Sequence, residues 1–148
     1  MVIGRLREGP TDQELKKEGI KEKVKFISDL TGRQIAELYA ESTIAVSPSV
    51  YEGFGFPAGE AMSCGIPLIS TNGGSLPEVV GDAAIIVPHS NPKALKDAIK
   101  LLLKSPEKRI NLGNKGRKRV LEKFTWKRAA KELVEVYREA IENANNRS

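Results

Sequence analysis

Cysteine is nearly absent: Cys64 stands alone among 148 residues, which excludes an internal disulfide framework. The single histidine, His89, has no cysteine or second histidine at metal-ligand spacing, so the chain carries no zinc-type signature. Aromatic residues make up only 5%, too few for the sugar-binding cleft that paired carboxylates need to hydrolyse glycosides. Long apolar runs are also missing. The longest, at 83–87, falls far short of the roughly 18 residues that span a bilayer. The opening Met1-Val-Ile-Gly-Arg5 turns polar too soon to read as a signal peptide. These absences lead us to expect a cytoplasmic protein. Hydrophobic content of 40% and charged content of 29% describe a globular chain long enough for one domain, residues 1–148, with a real core.

The net charge of +5 is unevenly spread. Residues 91–131 hold 14 of the 24 basic side chains against only 3 acids. Such a segment suits either a solvated helix face or contact with an anionic surface, including peripheral contact with a membrane. We expect no nucleic-acid partner.

The first 90 residues alternate β-rich runs with helical patterns. Strands are expected at Met1–Ile3, Val24–Ile27, Thr43–Val46, Ile66–Ser70 and Ala84–Val87. Between them lie helices at Thr11–Gly19, with Thr11 or Asp12 as N-cap, at Arg33–Ser42, and at Pro57–Cys64 with Pro57 first and Gly65 just past the end. Ser75-Leu-Pro-Glu78 matches a capping box opening a short helix that Gly81 ends. Then the pattern turns all-helical. Asn91-Pro92, Ser105-Pro106 and Thr125 open three helices, ending near Leu103, Lys123 and Asn143. Phe124 and Trp126 flank Thr125 and read as packing anchors. The alternation predicts an α/β, Rossmann-like fold: one parallel sheet, helices on both faces, and extra C-terminal helices. Beginning on a strand stub, the sheet is expected to lack its first strand–helix unit.

One loop carries most of the chemistry. After the strand at Thr43–Val46 comes Ser47-Pro-Ser49, then Glu52-Gly-Phe-Gly-Phe56, then a helix containing Glu60. The loop leaves the carboxyl end of a parallel strand, where open α/β sheets bind ligands. The helix N-terminus and the small Gly53 and Gly55 suit an anion approached by backbone amides. Carboxylates beside a phosphate would repel it, but an ionised carboxylate only accepts, and sugar hydroxyls donate. One acid holding a ribose and the other a second sugar, with diphosphate between, describes a nucleotide sugar. Spacing alone leaves open that Glu52 and Glu60 are ordinary surface acids. Gly53-Phe-Gly-Phe-Pro-Ala58 also fits the dinucleotide fingerprint G-x-G-x-x-A, but several residues separate it from its strand, and the next strand ends in Ser70-Thr-Asn72 with no acid for a ribose.

The full ordered set, Ser47-Pro-Ser49, Glu52-Gly-Phe-Gly-Phe-Pro-Ala-Gly-Glu60, Gly73-Gly-Ser-Leu-Pro-Glu78 and Asp82-Ala-Ala-Ile-Ile-Val-Pro88, resembles the E-x7-E signature of group 1 (family 4) glycosyltransferases. The resemblance runs to about Tyr137. It implies a retaining, metal-independent enzyme of GT-B architecture, of which this chain is the C-terminal, donor-binding domain. The acceptor would be held by an N-terminal domain absent from this chain. No cofactor is implied beyond the donor itself, a UDP-, GDP- or ADP-sugar. By the resemblance, Glu52 contacts the donor sugar and is the candidate catalytic group, as a positioner and electrostatic stabiliser. Glu60 takes the ribose. The amides of Gly53, Phe54, Gly55 and Phe56 meet sugar and phosphate, and Ser28 and Asp29 lie by the base. The family's Gly-Arg…Lys diphosphate clamp is expected to be missing, with Arg5 and Arg7 weak substitutes. An alternative is a non-catalytic nucleotide-sugar-binding or interaction module. A third class is a basic module for nucleic acid or anionic membrane.

Overall fold

A computed structural model describes residues 1–3 and 10–146. The chain divides into two compact units, 1–37 and 38–148. Arg5 and Arg7 lie outside the described residues.

In the first unit, strand β1 (Val2–Ile3) pairs in parallel with β2 (Phe26–Ile27). Between them run α1 (Pro10–Lys17) and a short 3-10 turn at Lys21–Lys23. Asp12 was expected as a cap, but the helix starts at Pro10 and Asp12 sits inside it. Its buried carboxylate instead bridges Lys16 Nζ at 2.6 Å and Lys21 Nζ at 2.9 Å, tying the helix to the turn after it. Helix α2 (Gly32–Ala40) leads into the second unit.

The second unit is built on a parallel sheet in the order β3 (Ala45–Ser47), β4 (Leu68–Thr71), β5 (Ala84–Val87). The described backbone thus carries two parallel sheets where one was expected, because no ladder joins the two-residue β2 to β3. Strand β4 is buried on both faces, and its neighbouring side chains point to opposite sides. Leu68 joins a core with Ala58, Ala61 and Met62 of α3 (Phe56–Ser63) and Leu76 and Val80 of α4 (Leu76–Val80). Ile69 joins the opposite core with Ala98 and Leu102 of α5 (Pro92–Lys104). Helices on both faces are therefore what this sheet has, as its continuous apolar strands require. Helix α6 (Pro106–Lys123) packs against α3, with Gly113 and Gly116 buried in it.

Two of the expected caps form: Asn91 Oδ1 accepts from Ala94 N at 3.0 Å, and Thr125 Oγ1 from Arg128 N at 3.3 Å, the latter opening α7 (Trp126–Asn145). Ser75 and Ser105 make no side-chain cap. Every described residue of α7 is exposed, and Trp126 is 92% exposed, so it anchors nothing here. Phe124 does pack, edge-on to Phe54 at 5.6 Å.

The basic segment turns out to hold a set of helix caps. Arg117 donates to Ser63 O at the end of α3, and Arg119 to Glu78 O and Val79 O at the end of α4. Arg109 donates to Leu102 O and Leu103 O at the end of α5, and Arg128 to Glu122 O at the end of α6. Each guanidinium donates to carbonyls in the last turn of a helix, at the negative pole of its dipole. Four of the segment's fourteen basic side chains are thus used on helix ends. Lys93, Lys96, Lys100 and Lys104 remain as a row along α5, at helical spacing and in no ion pair among the described residues.

Candidate functional site

Strand β3 ends at the buried Ser47, and the chain then loops through residues 48–55 into α3. Gly55 is the N-cap, with φ 89°. Only glycine takes this conformation readily, and here space forbids a side chain too: a Cβ would stand 2.6 Å from Leu76 Cδ2. Phe56 is the first helical residue and Pro57 the second, so Glu60 begins the second turn of α3 rather than ending the first. Among the described residues the N–H groups of Gly53, Phe54, Gly55 and Phe56 have no acceptor. Those of Ala58 and Gly59 both turn back to Gly55 O, so the donors open to a ligand are on the loop more than in the helix.

Glu52 is half-buried and heavily braced. Its Oε1 accepts from Ser49 Oγ at 2.7 Å. Its carbonyl accepts twice from Ser75, from the N–H and from Oγ, each at 3.0 Å. Ser75 was expected to cap α4 with Glu78 in a box. Its hydroxyl is used instead on this tertiary contact, which explains the missing cap. Thr71 Oγ1, at the end of β4, donates to the carbonyl of Ser49. Gly74, at φ 59°, lies so close to this loop that a Cβ would overlap the Glu52 carbonyl. The next loop joins on: Asn72 N donates to Val87 O at 3.1 Å, and His89 N donates to Asn72 Oδ1 at 2.9 Å. The carboxyl ends of β3, β4 and β5 thus form one hydrogen-bonded rim.

Neither Glu52 nor Glu60 is in an ion pair among the described residues. Near Glu60 stands Tyr39, whose hydroxyl donates to Pro57 O at 3.1 Å. Burial above all, with the charges of Glu60 and Cys64 adding to it, pushes the Tyr39 phenol up from its ordinary value. The loop's aromatic rings pack on one another: Phe54 lies 5.0 Å from Phe56, tilted, and edge-on to Phe124. Ser28 and Asp29 follow β2 in the first unit. Ser28 Oγ donates to Asp29 Oδ2 at 2.9 Å, and Asp29 holds φ at 59°, a strained value for a residue with a side chain.

Sequence reasoning missed the bracing of Glu52. Ser49 was read as part of a motif without a role, and Thr71 was read only as strand end. The contact spans 22 residues, and nothing local signals it. A cleft of about 680 Å³ lies elsewhere, between Ile85 and the start of α6 at Ser105–Lys108, and no residue of the 48–60 segment lines it. Among the described residues no helix is long and apolar enough to cross a membrane.

The parallel sheet, the flanking helices and a hydrogen-bonded rim at the strands' carboxyl ends define an α/β, Rossmann-like domain of the kind found in GT-B glycosyltransferases. Residues 1–119 match the family described as Glycosyl transferases group 1, and the chain belongs to that family. It is 39% identical over 136 residues to MMP alpha-(1->4)-mannosyltransferase of Mycolicibacterium hassiacum, covering 90% of this chain and 33% of that protein. It superposes on sucrose-phosphate synthase of Thermosynechococcus elongatus with a TM-score of 0.81 at 30% identity, covering 90% of this chain and 34% of that one. Anabaena Alr3699/HepE, solved in complex with UDP, gives a TM-score of 0.81 at 20% identity over 87% of this chain and 36% of that one, a likeness of fold. The chain spans about a third of the length of these relatives.

Proposed function

We propose that residues 1–148 are the donor-binding domain of a retaining glycosyltransferase. The domain holds a nucleotide-diphosphate sugar, whose sugar passes to an acceptor carried by an N-terminal domain. One observation carries this reading: among the described residues the half-buried Glu52 carboxylate has a neutral hydroxyl and no cation beside it, and the four backbone N–H groups that follow it in sequence have no acceptor. A carboxylate so placed can accept from donors such as sugar hydroxyls, and free N–H groups suit a phosphate. In this reading Glu52 contacts the donor sugar, Glu60 takes the ribose, and the amides of residues 53–56 meet sugar and phosphate. As the sugar–phosphate bond breaks, charge grows on the diphosphate, and preorganised N–H dipoles act most strongly at that stage. No protein nucleophile and no metal are invoked. Ser28 and Asp29 are assigned to the base. The exposed apolar face of α7 is assigned to the acceptor domain. Since Alr3699/HepE was solved with UDP and with UDP-glucose, UDP-sugars are the first donors to try, with GDP- and ADP-sugars beside them.

The test is calorimetric titration of the chain with UDP-glucose, GDP-mannose and ADP-glucose, with Glu60→Ala as control. Binding of one donor that weakens by about tenfold or more in Glu60→Ala supports the ribose assignment. Equal binding by parent and variant removes it. A non-catalytic nucleotide-sugar-binding module is the other reading. Turnover of the bound donor, by transfer or by hydrolysis, would exclude it.

A further inference from the structure

Glu52 is fixed at both of its ends. Its carbonyl takes two hydrogen bonds from Ser75, both at 3.0 Å. Its carboxylate takes one, from Ser49 Oγ at 2.7 Å, a short bond of the charge-assisted kind. Ser49 is itself tied down, because its carbonyl accepts from Thr71 Oγ1 at the end of β4. Gly73 and Gly74 close the assembly: a Cβ on the first would overlap the carbonyls of Ser49 and Val50, and one on the second the carbonyl of Glu52. The 49–52 turn is thus pressed against the backbone that follows β4, and the Glu52 side chain is held by its bond from Ser49. With Oε1 engaged, Oε2 has no partner among the described residues.

We infer that Ser49 is a positioning residue, seated by Thr71, which holds the Glu52 carboxylate so that it offers one aimed oxygen to a single hydroxyl of the donor's sugar. The inference rests on the proposed nucleotide-sugar site and adds to it the group that sets Glu52's geometry. A neutral hydroxyl suits this task better than an amine would. It orients the carboxylate and leaves the negative charge for the ligand, whereas a lysine in the same place would satisfy the carboxylate outright. Because the brace reaches only the sugar-facing acid, its loss bears on the sugar and not on the nucleotide.

The experiment compares, for the same chain, each of UDP-glucose, GDP-mannose and ADP-glucose with its own diphosphate. In Ser49→Ala the ratio of sugar-nucleotide affinity to diphosphate affinity falls about tenfold, the worth of one hydrogen bond to a charged group. Ser49→Thr, which keeps the hydroxyl, restores most of it. Adding Ser49→Ala to Glu52→Gln lowers the ratio no further, since the two act through one carboxylate. In the ligand-free chain, the Glu52 side-chain carboxyl carbon resonance moves in Ser49→Ala and stays in Ser49→Thr. An unchanged ratio in Ser49→Ala overturns the inference, as does equal weakening of both ligands, which would make Ser49 a general support of the loop. If the parent binds none of the donors, the proposed function falls and this inference with it. If the parent binds and Glu60→Ala weakens the binding while Ser49→Ala does not alter the ratio, only the inference falls.

Discussion

Replacing Gly55 by alanine tests how the loop is locked onto the core. The residue sits at φ 89°, where an L side chain costs about 1–2 kcal/mol. Its new methyl would meet Leu76 Cδ2 at 2.6 Å, and Leu76 is fully buried, so the core must yield at a further cost of about 1–3 kcal/mol. The lost freedom of the unfolded chain offsets about 0.4–1 kcal/mol of this. The net expectation is a loss of about 2–4 kcal/mol, a large part of the roughly 5–15 kcal/mol by which domains are stable. Urea unfolding followed by far-UV circular dichroism measures it. Tryptophan fluorescence is a poor probe, because Trp126 is already 92% exposed in the folded chain. The partner variant separates the two causes. Leu76→Ala alone costs about 2–5 kcal/mol, but in the Gly55→Ala background it relieves the overlap and costs about 1–3 kcal/mol less. If Gly55→Ala lies within about 0.5 kcal/mol of the parent, the argument from this turn is wrong. If the two losses simply add, the overlap with Leu76 is not the source.

Other outcomes follow from the same structure. Arg119→Ala strips two carbonyls at the end of α4 of their donor and lowers stability by about 2 kcal/mol, whereas Lys96→Ala on the unpaired lysine row changes it by less than about 0.5 kcal/mol; thermal melts compare the two. Leu102→Ala, at a fully buried site between α5 and the sheet, costs about 2–5 kcal/mol by urea titration. The hydrogen bond from Lys16, then that from Lys21, hold the Asp12 carboxyl below its ordinary value. A lowered folded-state value means the pair's contribution is complete above the ordinary aspartate value of about 3.9 and is lost as pH falls through the lower, folded one. NMR of residues 10–27 taken from about pH 6 to about pH 2 should therefore show loosening at the acid end, and Asp12→Asn should flatten that limb.

The elements were legible where the signal is local. Asn91-Pro92 announces α5 and Thr125 announces α7 because those side chains bond within their own helix turn. The strand at Ala84–Val87 is found residue for residue. Errors arise where a tertiary contact outbids a local one. Ser75 spells a capping box with Glu78, but its hydroxyl is taken by Glu52 O from 23 residues away. Asp12 looks like a cap and is an ion-pair hub, since the helix begins two residues earlier. The placement of Glu60 shifts by one helical position because Phe56, and not Pro57, enters first. The basic segment reads as a surface feature in sequence. No pattern of spacing could reveal that four of its arginines reach back to end separate helices. The two acids and their glycine loop were legible as a motif, while the serine and threonine that aim Glu52 come together only in three dimensions.

Helix α7 leaves Leu133, Val136, Tyr137 and Ile141 all open to water. A helix that buries no side chain draws no stability from tertiary contacts, and one of this length is marginal on its own. Its amides should consequently exchange with deuterium ahead of those in β4, and heating should unwind it first, leaving the three-stranded core standing.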